Sequence, residues 1–405
     1  MFDYVFKSKI PQPTTKEENE MLRTNHAGGK VVVTTDGGAG SSGKGALNAW
    51  LATRYKFSLA TNNWATNAGH FVEWFDKDKK RHRVLNQHIC SAFFDPNMEL
   101  YINPGASIDI KILTEEIRQL EDEHGFSIKS RLTIHPHANV ITDEDKAQEK
   151  AIIKSGSTFK GCGAALARKT MRVPGGKLAK DYDELSPYIK DRTEEINDMV
   201  AKGASILIEG SQGIDLDINF AEFPHVTSRQ THPTQLVADA GLPCQAITNT
   251  IINLRTNPIR INNQSAANDK ETCYTGNYWD AAEISWETVA LRAGFASLVE
   301  FEQEYGFAMM TSVTKKVRRI FEFPQKRMEF VHKLVGGNLY DSNVLYSLNF
   351  INFIDRMVRG VTTEKELMTP KVTEWIKTNL TPIIGNKLAW IRTGPIHEEM
   401  VEITT

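Results

Sequence analysis

The chain has 405 residues, of which 40% are hydrophobic and 24% charged, and its formal net charge is −2. A chain this long buries a core without disulfides or metals, and its near-neutral charge argues against non-specific nucleic-acid binding. No apolar run approaches the roughly 20 residues that span a bilayer, and the first 20 residues lack the apolar stretch of a secretory signal. The four cysteines lie far apart. We therefore expect a soluble, cytoplasmic protein that binds neither nucleic acid nor membranes.

Strand and helix patterns alternate along the chain. Residues 1–29 are polar and irregular and are predicted to form an N-terminal arm, with residues 30–405 forming a single domain. Strands are predicted over 30–35, 131–134 and 204–208, and helices over 46–51, 113–124, 143–154, 182–202, 283–304 and 370–380. This alternation predicts an α/β fold with a large, mostly parallel central sheet and helices on both faces.

A glycine-rich loop over 38–45 (GAGSSGKG) lies between the first predicted strand and helix. Such a loop turns backbone N–H groups toward an anion at a helix N-terminus, and Lys44 adds a full positive charge. The spacing fits the P-loop, but Gly45 stands where that motif needs Ser or Thr for Mg²⁺. The loop predicts a nucleotide phosphate site, and Gly45 argues against a generic P-loop NTPase or kinase.

Five segments, in chain order, resemble conserved blocks of the adenylosuccinate synthetase family. They are 40–45 (GSSGKG), 67–70 (NAGH), 156–163 (GSTFKGCG), 208–217 (IEGSQGIDLD) and 224–228 (PHVTS). The resemblance spans roughly 30–319, with a weaker tail at 393–395 (TGP). It implies that 30–405 form one catalytic domain with a P-loop-like phosphate loop. In that family a nucleoside triphosphate phosphorylates O6 of a purine monophosphate, and the amine of L-aspartate then displaces phosphate.

The resemblance also implies roles for individual residues. It implies catalytic roles for Ser41, His70 and Gln212. Triphosphate binding is implied for Gly40, Ser42, Gly43, Lys44, Gly45, Phe350, Asn352 and Gly394, and purine monophosphate binding for Ser41, Asn67, Thr158, Arg172, Gln212 and Thr227. Aspartate binding is implied for Thr314, Lys316 and Arg318, and Mg²⁺ binding for Ser41 and the carbonyl of Gly69. It further implies a homodimer in which Arg172 reaches the partner's site.

Ser41 departs from the family, which has an aspartate at this position that acts as base toward purine N1 and binds Mg²⁺. A serine hydroxyl has no useful basicity and is a weaker metal ligand. Phage-encoded 2-aminoadenylosuccinate synthetases, a subset of the family that acts on dGMP, are similar in having a small neutral residue here. A small hydroxyl leaves room for the 2-amino group of guanine and can accept its hydrogen bond.

The segment 348–355 (LNFINFID) resembles the family strand whose Lys and Asp recognise the guanine of GTP. Phe350 and Asn352 stand at those two positions. An amide offers one donor and one acceptor, the pattern that suits adenine, and an aromatic ring adds a face for stacking. The expected donor is therefore ATP or dATP rather than GTP.

Three functions remain open on the sequence. The leading one is a ligase that joins L-aspartate to C6 of dGMP with ATP or dATP, in the cytoplasm of an infected cell if the gene belongs to a phage. The second is an ordinary adenylosuccinate synthetase that uses IMP and GTP. The third is an inactive nucleotide-binding homologue, since the base at position 41 is lost.

Overall fold

The computed structural model describes residues 21–152, 157–261, 275–278, 280–310, 318–339 and 342–404. Its strands are β1 Val31–Asp36, β2 Leu59–Asn62, β3 His70–Phe75, β4 Arg81–Asn86, β5 Glu99–Ile102, β6 Ser107–Ile108, β7 Leu132–Ile134, β8 Asn139–Val140, β9 Ile206–Glu209, β10 Asn249–Arg255, β11 Ile259–Ile261, β12 Glu283–Ile284, β13 Arg318–Phe321, β14 Val344–Asn349, β15 Leu388–Arg392 and β16 Met400–Glu402. Its α-helices are α1 Lys44–Tyr55, α2 Ile110–Arg118, α3 Asp143–Ile152, α4 Cys162–Thr170, α5 Thr193–Ala201, α6 Pro233–Asp239, α7 Trp286–Ala293, α8 Leu298–Tyr305, α9 Gln325–Leu334, α10 Glu364–Leu367, α11 Pro370–Asn379 and α12 Thr381–Ile384.

Nine strands form the central sheet, in the order β16-β15-β14-β10-β1-β9-β2-β5-β7. Every neighbouring pair is parallel except β15 and β16, which are antiparallel at one edge. The α/β fold with a mostly parallel central sheet, predicted from the alternating pattern, is confirmed.

Both faces of the central strands are buried, which explains the unbroken apolar run of β1. Val31 and Val33 pack on one face with Leu236 of α6, and Val32 packs on the other with Leu47 of α1. Because successive side chains of a strand point to opposite faces, a strand covered on both sides is apolar at every position.

Two small antiparallel sheets stand beside the central one. The hairpin β3–β4 contributes His70 and Arg83 to the main cavity, and the three-stranded sheet β11-β13-β12 contributes Arg260 and Arg318. These sheets carry charged side chains over the carboxyl ends of the central strands.

Most predicted elements exist, but two predicted helices are wrong as single helices. Residues 182–202 contain a 3₁₀ turn, Asp183–Tyr188, and only then α5, because Pro187 cannot extend an α-helix. Residues 283–304 divide into α7 and α8, since Gly294 ends α7 with a left-handed φ of 97°. The helix predicted over 113–124 begins earlier as α2 and continues as a π turn, Gln119–Glu123.

Residues 21–29 of the predicted arm lie against the domain. Leu22 is buried in the same cluster as Leu47, and the backbone N–H of Arg23 donates to Oδ1 of Asn249 at 3.1 Å. Residues 1–20 lie outside the described residues. Across the part of the chain that is described, no helix has the length and apolar character needed to cross a bilayer.

Candidate active site

The parallel strands of the central sheet bring their carboxyl ends to one edge, and several of them end in a polar residue. These residues are Asn62 of β2, Glu209 of β9, Asp36 of β1, Arg255 of β10, Asn349 of β14 and Arg392 of β15. Ligands of open parallel sheets bind beyond this edge, where loops and helix N-termini converge. The fold therefore places the candidate site here.

A cavity of about 850 Å³ lies at this edge and brings most of the predicted residues together. It is lined by Gly40, Ser41, Ser42, Gly43, Lys44, Gly45, Asn67, Gly69, His70, Thr158, Gln212, Thr227, Arg318 and Phe350. These residues come from segments that are up to 310 positions apart, from Gly40 to Phe350, and the predicted blocks meet at one cavity. Their individual roles stay predictions.

Buried polar contacts hold the glycine loop in place. Oδ1 of Asp36 accepts the N–H of Gly38 at 2.7 Å, and Oδ2 accepts the hydroxyl of Ser42 and lies 3.3 Å from Nζ of Lys44. Nζ of Lys44 also donates to the carbonyl of Gln212 at 2.7 Å. Asp36 thus fixes the loop from below and neutralises its lysine in the absence of a ligand.

The close approach of β3 requires glycine at position 45. A Cβ on Gly45 would lie 2.4 Å from the carbonyl oxygen of Phe71, a distance that real Cβ atoms do not show. The first turn of α1 therefore has no room for the Ser or Thr that a P-loop places there. Packing explains this departure from the motif.

Ser41 lies at the tip of the loop with a left-handed φ of 56°. Its hydroxyl accepts from Nη2 of Arg318 at 3.1 Å, and its carbonyl accepts from Nη1 of Arg255 at 2.9 Å. Burial lowers the pKa of Arg318 to about 9 and that of Arg255 to about 10, so both stay charged at neutral pH. A neutral hydroxyl between two cations occupies the tip of the loop.

His70 and Glu209 form a buried pair behind the cavity. Nδ1 of His70 lies 2.8 Å from Oε1 of Glu209, and Oε2 of Glu209 accepts the N–H of Ser91 at 2.7 Å. Burial raises the pKa of Glu209 to about 8 and lowers the pKa of His70 well below 6.5. At neutral pH a protonated Glu209 therefore donates to Nδ1, which leaves Nε2 of neutral His70 as an N–H donor.

The opposite end of the cavity is held more loosely. Nδ2 of Asn67 donates to Oγ1 of Thr227 at 3.4 Å, which joins two of the predicted blocks. Thr158 is half-buried in the loop before α4, and Gln212 has a left-handed φ of 62° beside the glycine loop. These groups offer neutral hydrogen-bond partners to a nucleotide.

Three predicted residues do not line the cavity. Arg172 is exposed at the end of α4 with a φ of 57°, and Asn352 is buried in the 3₁₀ turn Ile351–Phe353. Gly394 lies behind the lining residues Arg392 and Pro395. The predicted contact of Asn352 with a purine is not supported by this placement, because its turn packs it into the protein. Thr314 and Lys316 lie outside the described residues.

Sequence reasoning missed four charged residues at the sheet edge: Asp36, Glu209, Arg255 and Arg392. Two of them, Glu209 and Arg392, directly follow an apolar strand run, and a charged residue at the end of such a run was the available signal. It also missed Glu73 and Arg83 of the hairpin, whose carboxylate and Nε lie 3.2 Å apart. The strands of a hairpin routinely alternate apolar and polar residues, so nothing in the sequence marked Glu73 and Arg83 as residues of the site.

Oxygen ligands for a divalent cation are few at the cavity. The described residues contain no group of three or more His, Cys, Asp or Glu side chains that could hold a metal. The hydroxyl of Ser41 and the carbonyl of Gly69 are oxygen donors that border the cavity. Mg²⁺ keeps several waters and binds mainly through substrate phosphates, so this sparse set fits a cation that arrives with a nucleotide.

The comparisons with known proteins agree with this site. Residues 33–181 and 176–263 match the sequence pattern of the adenylosuccinate synthetase family. Fold and site define a ligase that forms a carbon–nitrogen bond. The chain belongs to the adenylosuccinate synthetase family, as the sequence motifs predicted.

Relatives of two kinds are similar to the chain. The N6-succino-2-amino-2'-deoxyadenylate synthase of Vibrio phage phiVC8 is 30% identical over 298 residues, 72% of this chain and 78% of that protein. The adenylosuccinate synthetase of Pyrococcus horikoshii is 27% identical over 376 residues, 92% and 98% of the two chains. The solved succinoaminodeoxyadenylate synthetase of cyanophage S-2L, bound to dGMP and to dATP as an energy donor, has a TM-score of 0.72 at 25% identity, covering 93% and 96%.

Proposed function

We propose that the protein joins L-aspartate to C6 of dGMP, with ATP or dATP as donor, and forms 2-amino-2'-deoxyadenylosuccinate. The observation that carries this proposal is Ser41, a neutral hydroxyl at the tip of the glycine loop that lines the cavity. The phage relatives and the cyanophage structure with dGMP and dATP support the same direction.

The absence of a free carboxylate strengthens the argument against IMP as substrate. Among the described cavity residues, the carboxylates are Glu73 and Glu149. Glu73 is paired with Arg81 and Arg83, and Glu149 accepts the N–H groups of Gly161 and Gly163 at 2.8 and 2.6 Å. A hydroxyl in place of a carboxylate spares the 2-amino group of guanine from a clash and accepts its hydrogen bond.

The donor pocket supports an adenine nucleotide through Phe350. The guanidinium of Arg255 lies 4.2 Å from the centre of the Phe350 ring, and Phe350 lines the cavity. An aromatic ring in contact with a cation offers a surface on which a base can stack, and it makes no hydrogen bond to the polar edge of the base.

In this proposal the reaction has two steps. The donor's γ-phosphoryl group transfers to O6 of guanine, and the N–H at Nε2 of His70 hydrogen-bonds the transferring oxygens where negative charge develops. The amine of aspartate then attacks C6, the C6–N bond forms, and the C6–O bond breaks to release phosphate. The Nε of Arg318 has no hydrogen-bond partner among the described residues, and in this proposal it donates to a carboxylate of aspartate. Mg²⁺ arriving with the donor's phosphates would be held by the hydroxyl of Ser41 and the carbonyl of Gly69 and would neutralise phosphate charge.

A substrate matrix with the Ser41→Asp variant tests the proposal. Phosphate release is measured for dGMP, GMP and IMP against ATP, dATP and GTP, with aspartate present. We expect turnover with dGMP and an adenine donor, and at least about a tenfold loss of dGMP turnover in Ser41→Asp, because a carboxylate crowds the 2-amino group. Dominant turnover of IMP with GTP would support the ordinary synthetase, and binding without turnover would support an inactive homologue.

We also propose a homodimer in which Arg172 enters the partner's cavity. Arg172 lies between the exposed apolar side chains of Met171 and Val173, a combination that suits a second copy of the chain. Mixing inactive Arg172→Ala with inactive His70→Ala should restore roughly a quarter of wild-type activity, since each heterodimer regains one intact site. A mixture that stays inactive while the protein is dimeric would contradict the shared site.

A further inference from the structure

Arg392 has the geometry of a ligand-binding cation that no predicted motif contains. It ends β15 at the sheet edge and lines the cavity beside the glycine loop. Its Nε donates to the carbonyl of Gly394 at 2.7 Å and its Nη2 to the carbonyl of Pro395 at 2.9 Å. The turn that follows the strand therefore holds the guanidinium rigidly through two of its three nitrogens.

The third nitrogen points at the start of α1. Nη1 of Arg392 is the nearest atom to a Cβ built on Gly43, at only 2.5 Å, and Gly43 is the N-cap of that helix with a φ of 88°. Among the described residues, Nη1 has no acceptor, and no carboxylate lies within ion-pair distance of Arg392. Glu73, which contributes to its electrostatic field, is already paired with Arg81 and Arg83.

The positive charge at the start of α1 is too small to balance a triphosphate without a further cation. Lys44 is paired with Asp36 at 3.3 Å, and Ser41 and Ser42 are neutral. A triphosphate tail brings three to four negative charges, more than Lys44 and a helix dipole balance at the N-terminus of α1. Arg255 and Arg318 are already bonded to Ser41 at the tip of the loop. Burial lowers the pKa of Arg392 to about 10, so the guanidinium stays charged at neutral pH.

We infer that Arg392 binds the phosphate tail of the donor nucleotide through Nη1, at the N-terminus of α1 and opposite Lys44. This inference rests on the proposed function only in taking the cavity as a triphosphate site, whichever purine is used. Arg392 is then a nucleotide-binding residue that adds a positive charge at the N-terminus of α1.

The test measures binding of ATP, inorganic tripolyphosphate and dGMP to the full chain by calorimetry, without aspartate. In Arg392→Gln we expect ATP and tripolyphosphate to bind at least about tenfold more weakly, with dGMP affinity and Tm unchanged. Arg392→Lys should recover part of the loss, because it keeps the charge and loses the planar fork. Arg54→Gln, at the opposite end of α1 and exposed, is the matched control and should bind like wild type.

Four results would overturn the inference. The first is an unchanged affinity for ATP in Arg392→Gln, and the second is a lower affinity for ATP without a lower affinity for tripolyphosphate, which would indicate a contact with the base. The third is an equal loss of affinity for dGMP and ATP together with a lowered Tm. The fourth is a wild-type protein that binds ATP but not tripolyphosphate. Turnover of IMP with GTP would refute the dGMP proposal alone, and the tripolyphosphate comparison would still decide the role of Arg392.

Discussion

The two ends of the cavity differ in how firmly their side chains are held. At the glycine-loop end, Asp36, Ser42 and Lys44 are buried and bonded to one another before any ligand binds. The opposite end, which the proposed function assigns to dGMP, is called the acceptor end. There Nδ2 of Asn67 lies 3.4 Å from Oγ1 of Thr227, and Thr158 is half-buried. In the proposed function, the groups around the glycine loop would be preorganised for phosphate, and Asn67, Thr158 and Thr227 would be ordered when the nucleotide binds. Changes at the first end should therefore cost stability, and changes at the second should cost affinity.

Asp36→Asn gives the largest expected effect on stability. The amide places an N–H₂ group against Lys44 or Ser42 and leaves the buried lysine without a counter-charge. We expect the free energy of unfolding to fall by about 3–5 kcal/mol, measured by urea denaturation. Asp76→Asn, in the hairpin loop between β3 and β4, is the control and should change little. A loss under about 1 kcal/mol for Asp36→Asn would contradict the preorganised loop.

His70→Ala should have the largest effect on catalysis. Removing the Nε2 donor should lower kcat by about 10²–10⁴-fold while the affinity for dGMP stays near wild type, because in the proposed mechanism Nε2 hydrogen-bonds the phosphoryl group only as it transfers. Phosphate release gives kcat, and calorimetry gives the affinity. His82→Ala, on the same hairpin and paired with Asp76, serves as the matched control. If His70→Ala keeps more than about a tenth of wild-type kcat, His70 is not catalytic.

The Glu209–His70 pair predicts a pH dependence of stability. The folded pKa of Glu209, about 8, lies above its usual value of 4.5. The folded state therefore binds the proton more tightly, and this contribution is full below pH 4.5 and is lost as the pH rises through 8. Glu209→Gln mimics the protonated acid, donating to His70 and accepting from Ser91, so its stability should fall less from pH 5 to about 8.5. It should keep kcat within about tenfold, whereas Glu209→Ala should lose more.

A steeper loss of kcat in Glu209→Gln, comparable with that in His70→Ala, would mean that an ionised Glu209 is required. The argument for a neutral pair would then fail. The pH profile of unfolding, measured in the wild type and both variants, separates the effect of Glu209 from that of other titrating groups.

Thr227→Val gives the smallest expected effect and tests the acceptor end. It removes one hydroxyl that bonds weakly to Asn67, so we expect Tm and kcat to stay near wild type. The KM for dGMP should rise by roughly 2–10-fold, since one neutral hydrogen bond contributes about 0.5–1.5 kcal/mol. Thr53→Val on α1 is the control. A loss of stability as large as that of Asp36→Asn would erase the contrast between the two ends.

Sequence reasoning predicted the fold class and the residues of the cavity because these depend on local patterns. The apolar run of β1, the glycine loop and the blocks at 67–70 and 224–228 are each contiguous. It was wrong where helical periodicity ran across a breaker, at Pro187 and Gly294. Asn352, which was predicted to contact the donor base, is buried in the 3₁₀ turn after Phe350, and its role stays a prediction.

By itself, the sequence determined an α/β fold with a glycine-rich loop, because apolar runs and closely spaced glycines specify backbone shape locally, and its resemblance to the adenylosuccinate synthetase blocks indicated a ligase. The tertiary structure alone decided which distant groups meet. Glu209 supports His70, Phe71 forces glycine at position 45, and Arg392 faces Gly43. Those contacts join separate elements of the chain, and the order of strands in the sheet brings the carboxyl ends of β9 and β15 to the glycine loop after β1.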